Sequence, residues 1–223
     1  MLCIAHRGYS LKYKDNSIIA IREAIARNYD GIEVDVQQCK TGELVMYHDI
    51  YIGTDFVEDL TIDELFSKGV QSLNALYEIL PEIESTMLFI DIKGSSTTIC
   101  DELETFYKKR SIRDVYFCSF NRPILYDLPK HFKKGYIFAT TFIESEYAVI
   151  TKDIQVVIIH WTCLNYIFIQ YCKLNKITVF AYTHTCDKEM EYMIKYEIDG
   201  IITNGFFLEK SDTFPTKKIE LIY

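Results

Sequence analysis

The chain has 223 residues, of which 49% are hydrophobic and 25% are charged, and this length and balance predict a single globular domain over residues 1–223. The formal net charge of −8 at pH 7 argues against nucleic-acid binding, which needs a basic surface, and against electrostatic docking onto anionic membranes. Seven cysteines at scattered positions predict neither a disulfide framework nor a zinc site.

The apolar pattern along the chain predicts alternating strands and helices. Apolar runs of four to six residues alternate with longer helical patterns, which is typical of βαβ units and a parallel sheet. Several of the runs are hydrophobic throughout, as strands buried on both faces are. The predicted strands are Leu2–Ala5, Ile32–Val36, Leu88–Ile92, Val115–Ser119, Tyr136–Ala139, Val156–Ile159, Ile177–Tyr182 and Gly200–Thr203.

Helix signals lie between these strands. Asp15 and Asn16 are start signals for a helix over Ser17–Asn28. Thr61 and Glu64 have the spacing of a capping box, which predicts a short helix after them. The other predicted helices are Ser72–Leu80, which Pro81 is expected to end, Thr97–Lys109, Arg122–Leu128, Cys163–Leu174 and Lys188–Lys195.

Eight strands separated by helices predict a compact α/β fold, the (β/α)₈ or TIM barrel. Leu44–Tyr47 is predicted to be an extra strand paired with the second one, because turn residues precede it. Residues 50–88 leave room for little more than two short helices, so we expect little or no insertion domain. With no signal-peptide pattern and no apolar run near the length of a membrane span, we expect a cytoplasmic protein without stable membrane insertion.

Ionisable side chains follow the first predicted strands where each one ends. Glu33 and Asp35 are two residues apart, so on a strand both carboxylates point to the same face. Side-by-side carboxylates repel unless a positive group lies between them, and a divalent cation with oxygen ligands is the simplest such group. His6 and His48 each end an apolar run and are candidates for a general acid and a general base. This pattern predicts a metal-assisted phosphate site.

Five short motifs occur in the order and spacing of a known family. His6-Arg7-Gly8, Asp15-Asn16-Ser17, Glu33-x-Asp35, His48-Asp49 and Asp91-Ile92-Lys93 resemble the motifs of the glycerophosphodiester phosphodiesterase family. The resemblance continues to the last predicted strand and its Asn204, so it covers nearly the whole chain.

The resemblance implies hydrolysis of small-molecule glycerophosphodiesters to sn-glycerol 3-phosphate and an alcohol, with one divalent ion, Mg²⁺, Ca²⁺ or Mn²⁺, as cofactor. It makes Asp91 a metal ligand beside Glu33 and Asp35, although relatives usually have a glutamate at the position of Asp91. It makes His6 and His48 the acid and the base, and the sequence does not assign either role to one of them.

The same resemblance implies which side chains bind the substrate. Arg7 and Lys93 would hold the negative charge that develops on the phosphate. Tyr182, where many relatives have tryptophan, and Phe120 would pack against the glycerol or the leaving group. Asn16 fits two interpretations, a helix-start signal or a polar contact to the site.

Alternatives stay open at this point. The carboxylates could be neutralised by Arg7 and Lys93 without a metal. A lysophospholipase D or sphingomyelinase D activity is the alternative within enzymes, because the Asp91-x-Lys93 pairing also resembles the venom sphingomyelinase D branch. A barrel that binds a ligand without turnover is the alternative outside enzymes. The sequence leaves the head-group alcohol and the oligomeric state undetermined.

Overall fold

The computed structural model describes residues 1–109, 112 and 114–205, so residues 206–223 of the predicted domain lie outside the described part. The described strands are listed here in chain order because their ends position the site. They are β1 (Leu2–His6), β2 (Gly31–Gln38), β3 (Leu44–Met46), β4 (Tyr51–Ile52), β5 (Asp55–Phe56), β6 (Gln71–Ser72), β7 (Met87–Ile92), β8 (Val115–Ser119), β9 (Lys133–Phe138), β10 (Val156–His160), β11 (Thr178–His184) and β12 (Gly200–Thr203).

The helices lie between the strands, as the pattern predicts. The α-helices are α1 (Ile18–Ala26), α2 (Ile62–Ser67), α3 (Leu80–Ile83), α4 (Ile99–Lys109), α5 (Arg122–Asp127), α6 (Glu144–Ile150), α7 (Tyr166–Leu174) and α8 (Asp187–Met193). Three-ten helices form over Val57–Asp59, Leu73–Ile79 and Trp161–Cys163. None of the helices in the described ranges has the length and apolar character needed to cross a bilayer.

A closed parallel barrel forms the centre of the molecule. Its strands follow the order β1, β2, β7, β8, β9, β10, β11 and β12, and β12 pairs again with β1. The predicted (β/α)₈ barrel is therefore confirmed, as are the eight strand positions within a few residues. The extra strand is confirmed as β3, which runs antiparallel to the end of β2.

Two predicted elements, the helix Ser72–Leu80 and the strand Tyr136–Ala139, differ in detail from the structure. Residues 73–79 form a three-ten helix, and Pro81 does not end it but lies in the first turn of α3, where its missing N–H removes no helical hydrogen bond. Strand β9 begins at Lys133, three residues before the predicted start. The hairpin β4–β5, strand β6 and helix α6 were not predicted.

Apolar side chains fill the interior of the barrel and the layer between strands and helices. Phe89, Phe180 and Ile202 belong to the inner cluster, and the Phe89 and Phe180 rings meet edge to face with centroids 5.1 Å apart. A small separate cluster that includes Val45 and Leu65 lies under α2. The segment between β3 and β7 therefore packs on a small core of its own.

Candidate active site

A cleft of about 130 Å³ lies at the carboxyl ends of the barrel strands, where parallel barrels place their reactive groups. A larger cavity of about 340 Å³ lies beside α5 and contains none of the predicted site residues. The cleft brings together eight of the ten predicted side chains. Of the other two, Asp35 contacts Arg7 and Lys93 of the cleft, and the side chain of Asn16 is hydrogen-bonded to Asp35. The eight are His6, Arg7, Glu33, His48, Asp91, Lys93, Phe120 and Tyr182.

A tight turn after β1 presents the first two residues of the site. Arg7 and Gly8 both have positive φ, 57° and 77°, which turns the chain sharply at the strand end. A Cβ at Gly8 would lie 2.6 Å from the backbone carbon of Ala20, so only glycine lets the turn pack on α1. In this conformation the backbone N–H of Arg7 donates to Oε2 of Glu33 at 2.9 Å.

Strand register brings three carboxylates to one inner face of the barrel. Glu33 lies opposite His6 on β1, and Asp35 lies opposite Asp91 on β7. Glu33, Asp35 and Asp91 are 4%, 1% and 5% exposed, and an oxygen from each lies within 4.8 Å of the others. The sequence predicted that the first two would share a face; the pairing with Asp91 follows from the barrel.

Two positively charged side chains, those of Lys93 and Arg7, contact these carboxylates. The ammonium of Lys93 is 2.9 Å from Oδ1 of Asp35 and 2.5 Å from Oδ2 of Asp91, and Nε of Arg7 is 3.0 Å from Oδ2 of Asp35. Glu33 has no lysine or arginine side chain at ion-pair distance within the described ranges; its neighbours are the Arg7 N–H and Nε2 of His6, 4.0 Å away. Three carboxylates thus face two cations, and Glu33 is the uncompensated one.

This unequal distribution separates the pKa values of the carboxyl groups. Burial opposes ionisation of Asp35, but Lys93 and Arg7 outweigh it and lower its pKa below the usual value. Burial, reinforced by Asp35 and Asp91, raises the pKa of Glu33 well above its usual value. Burial raises the pKa of Asp91 to about 7 even though Lys93 opposes the shift. The excess negative charge of this cluster therefore favours a bound proton or cation.

Asn16 forms two hydrogen bonds with Asp35. Its side-chain amide donates to Oδ2 of Asp35 at 2.8 Å, and its carbonyl oxygen accepts from the Asp35 backbone N–H at 3.0 Å. The side chain that caps α1 is not Asn16 but the next residue, Ser17, whose hydroxyl accepts from the Ala20 N–H. Asn16 is 4% exposed, and its contact with a substrate stays a prediction.

His6 is largely buried and lies between Asn204 and Glu33. Nδ1 of its ring is hydrogen-bonded to Oδ1 of Asn204, which follows β12. Burial and the neighbouring Arg7 lower the pKa of His6 to about 4, so the ring is neutral at physiological pH. The sequence pattern assigned no role to Asn204, because its proximity to His6 depends on closure of the barrel.

The second histidine lies on the loop after β3. His48 is 39% exposed at its side chain, and its Nδ1 lies 2.7 Å from Oδ1 of Asp49. Gln37 braces this loop by donating from its side-chain amide to the backbone carbonyls of Tyr47 and Asp49, at 2.8 and 2.7 Å. Gln37 was not among the predicted site residues, although its spacing of two from Asp35 places it on the same side of β2.

The other wall of the cleft is aromatic and apolar. The rings of Phe120 and Tyr182 meet edge to face with centroids 5.9 Å apart, and the ammonium of Lys93 lies 5.7 Å from the centre of the Phe120 ring. Ile137 and Ile158 line the same cavity from the barrel interior. A bound molecule would thus meet charge on one side and apolar surface on the other.

The donor set fits a hard divalent cation. All three groups are carboxylates, the ligand type that Mg²⁺, Ca²⁺ and Mn²⁺ prefer. Oδ1 of Asp91 is buried and has no hydrogen-bond partner among the described residues, although buried carboxylate oxygens are normally satisfied. An unsatisfied oxygen within a cluster that carries excess negative charge is the feature expected of a cation ligand.

Comparisons with known proteins agree with this geometry. Residues 6–142 match the glycerophosphoryl diester phosphodiesterase family. A glycerophosphodiester phosphodiesterase of Caldanaerobacter subterraneus subsp. tengcongensis is 30% identical, and the match covers 91% of this chain and 93% of that protein. The structure of a glycerophosphodiester phosphodiesterase from Thermotoga maritima, 27% identical, superposes with a TM-score of 0.76 over 92% of this chain and 94% of its own.

A third protein shares the fold at lower identity. It is an Oleispira antarctica phosphodiesterase, solved in complex with the product sn-glycerol-3-phosphate, with a TM-score of 0.81 at 18% identity over 92% of this chain and 93% of its own. The matching motifs, the closed barrel and the near full-length relative together lead to one assignment. The chain belongs to the glycerophosphoryl diester phosphodiesterase family of phosphoric diester hydrolases.

Proposed function

We propose that this chain hydrolyses glycerophosphodiesters to sn-glycerol 3-phosphate and an alcohol, and that it requires one divalent cation held by Glu33, Asp35 and Asp91. The observation that carries the proposal is the cluster of three carboxylates, which has more negative charge than its neighbouring side chains neutralise. One of its members, Glu33, lies 4.0 Å from Nε2 of His6. It lies in the same cleft as His48, Arg7 and Lys93. Proton-transfer groups, anion-binding groups and a cation site are the set that phosphodiester cleavage needs.

The two histidines supply proton transfer. One ring accepts the proton of the attacking hydroxyl, which in the family is the 2-hydroxyl of the substrate's glycerol, as the oxygen bonds to phosphorus. The other ring donates a proton to the alkoxide that leaves when the second phosphorus–oxygen bond breaks. Water then opens the cyclic phosphate by the reverse proton transfers and yields the phosphomonoester.

Arg7 and Lys93 bind the phosphate oxygens in this scheme. The guanidinium of Arg7 offers paired donors and the ammonium of Lys93 a compact charge. Both are partly exposed, at 20% and 13% of their side chains, so each can contact a substrate while keeping its carboxylate partner. A cation bound at the three carboxylates would add positive charge near the phosphate oxygens, which carry the negative charge when phosphorus becomes five-coordinate.

The aromatic wall offers a surface for the carbon skeleton of the substrate. Phe120 is 49% exposed, and Tyr182 lines the cleft beside it. Packing of the glycerol or the leaving alcohol against these rings would leave the phosphate on the charged side. This arrangement supports the substrate contacts proposed for both residues.

Product analysis tests the proposal. The purified chain is incubated with glycerophosphocholine, glycerophosphoethanolamine and glycerophosphoglycerol, each with Mg²⁺, Ca²⁺, Mn²⁺ or EDTA, and glycerol 3-phosphate is measured. We expect release with at least one ion, no release in EDTA, and loss of at least about 100-fold in Glu33→Gln. A parallel arm measures choline release from lysophosphatidylcholine.

The outcomes separate the alternatives. Turnover of the lysolipid without turnover of the water-soluble diesters would replace the proposed substrate by that of a lysophospholipase D. Equal turnover in EDTA and with metal would contradict the cation requirement and favour neutralisation by Arg7 and Lys93. No turnover of any substrate, in a chain that unfolds cooperatively and binds a cation, would favour the non-catalytic barrel.

A further inference from the structure

Closure of the barrel places a residue from the end of the chain against the first histidine. Thr203, the last residue of β12, pairs with Ala5 of β1. The residues that follow them along the chain are Asn204 and His6. The two side chains meet through Oδ1 of Asn204 and Nδ1 of His6, across 198 positions of sequence. No short-range pattern links these two residues.

The position of Asn204 is fixed by its backbone. Its N–H donates to the carbonyl of His184 at 3.2 Å, and its carbonyl accepts from the N–H of Leu11 at 2.9 Å. The hydroxyl of Ser10 bridges the two sides, donating to the His6 carbonyl at 2.8 Å and lying 3.5 Å from the Asn204 carbonyl. A side chain held in this way can orient its neighbour, because neither backbone is free to move away.

The chemistry of the contact determines which ring nitrogen carries the proton. An amide oxygen accepts hydrogen bonds and cannot donate, so its partner Nδ1 must be the protonated nitrogen. In a neutral imidazole the other nitrogen, Nε2, then has a free lone pair. That nitrogen lies on the side of the ring facing the site, 4.0 Å from Oε2 of Glu33.

We propose that Asn204 is a positioning residue that fixes His6 in the Nδ1–H tautomer, with Nε2 as the proton acceptor toward the cleft. The inference rests on the proposed function only for its kinetic consequence. Asparagine suits this task because a neutral amide selects the tautomer without adding a further negative charge to a cleft that already contains three carboxylates. Asn204 acts through His6 and need not contact the substrate.

Nitrogen-15 NMR of the histidine side chains tests the tautomer directly. The full chain is labelled at histidine, and its spectra in Mg²⁺ and in EDTA are compared with that of His6→Gln, which identifies the His6 signals. Protonated and unprotonated ring nitrogens have well separated shifts, so we expect a protonated Nδ1 and an unprotonated Nε2. A proton on Nε2 would show the opposite tautomer and overturn the inference.

Three variants test the role of the amide. Asn204→Leu keeps approximately the same size but cannot accept a hydrogen bond, so we expect a mixture of tautomers and a 10- to 100-fold loss of kcat, the usual effect of removing a histidine-orienting partner, with KM changed less than about threefold. Asn204→Asp still accepts from Nδ1 and should keep the tautomer and most of kcat. Ser10→Ala removes only the neighbouring backbone contacts and should keep both.

The outcomes of the kinetic and spectroscopic arms are distinguishable. If the wild-type chain has no activity on glycerophosphodiesters, the proposed function fails while the NMR comparison still decides the tautomer. If Asn204→Leu keeps the wild-type nitrogen shifts and kcat, Asn204 does not position His6. If Asn204→Leu and Ser10→Ala lower kcat equally without a change of tautomer, the contact is structural only, and the inference is wrong.

Discussion

Asp35 and Asp91 lie directly opposite each other on the neighbouring parallel strands β2 and β7, and both are almost completely buried. The ammonium of Lys93 contacts both carboxylates, at 2.9 and 2.5 Å. Two buried like charges in register are unfavourable alone, so the pair depends on the positive groups around it. The stability of this protein and its proposed activity therefore depend on the same few residues.

Replacement of Lys93 by methionine tests this dependence. Lys93→Met keeps the length of the side chain but removes the charge between Asp35 and Asp91. We expect the free energy of unfolding in EDTA to fall by about 3 kcal/mol, since breaking a buried ion pair leaves uncompensated charge. Urea denaturation followed by circular dichroism measures the change.

The matched control makes the same substitution at an exposed pair. Lys173 lies 2.6 Å from Glu197 on the surface, and Lys173→Met should change the free energy of unfolding by less than about 1 kcal/mol. Saturating divalent cation should restore more stability to Lys93→Met than to the control. Equal effects of the two substitutions would show that Lys93 has no special part in stabilising the carboxylates.

The raised pKa of Asp91 predicts a pH dependence of stability in the metal-free protein. Folding moves this pKa from 3.8 to about 7, so between these values the folded state holds a proton that the unfolded state releases. The stabilisation is fully present below about pH 4 and is lost as the pH rises to about 7. Glu33, whose pKa is also raised, acts in the same direction.

Denaturation of Asp91→Asn at several pH values in EDTA measures this contribution. The free energy of unfolding of the variant, relative to that of wild type, should rise by about 2 to 3 kcal/mol between pH 4.5 and pH 8, because an amide does not ionise. Glu84→Gln, a change at an exposed carboxylate of the α3–β7 loop, serves as the control and should follow wild type. Parallel pH profiles for wild type and Asp91→Asn would be inconsistent with a buried, protonated Asp91.

Asn16 is expected to stabilise the protein through Asp35. Asn16→Gly removes both hydrogen bonds to Asp35 and keeps the positive φ of 53°, so we expect a loss of about 2 kcal/mol in the free energy of unfolding. Asn28→Gly is the matched control, since Asn28 is exposed with a φ of 58°. Equal thermal stability of the two variants would rule out a supporting role for Asn16.

The two histidines are expected to contribute mainly to kcat. His6→Ala and His48→Ala should each lower kcat by about 10²- to 10⁴-fold with smaller changes in KM, the range for loss of a general acid or base. The kcat of the double variant should be only slightly lower than that of the less active single variant, because the two groups act in one reaction. His131→Ala, at an exposed position after α5, should keep wild-type kinetics. A loss of less than tenfold in either single variant would remove that histidine from the mechanism.

The strands could be predicted because their apolar runs are local signals, while the exceptions depend on distant partners. The start of β9 was missed because Lys134 is charged. Its ammonium is buried and donates to the carbonyls of Leu125 and Leu128 at the end of α5, a compensation that no local pattern reveals.

The site, too, has some features that local sequence predicts and others that depend on tertiary contacts. The shared face of Glu33 and Asp35 follows from a spacing of two, and it was predictable. The contact between Asn204 and His6 depends on the pairing of the first and last strands, and the bracing of the His48 loop by Gln37 depends on the β2–β3 turn. Both are tertiary contacts, so residue type and spacing alone did not assign them.

The most direct test of the central claim combines cation binding with turnover. Wild type and Glu33→Gln are dialysed against EDTA, titrated with Mg²⁺, Ca²⁺ or Mn²⁺ by calorimetry, and assayed for glycerol 3-phosphate release from glycerophosphoethanolamine at each point. We predict that wild type binds one cation, that its activity rises in proportion to cation occupancy, and that Glu33→Gln loses both cation binding and activity. Activity in the dialysed enzyme before any cation is added would contradict this requirement for a cation.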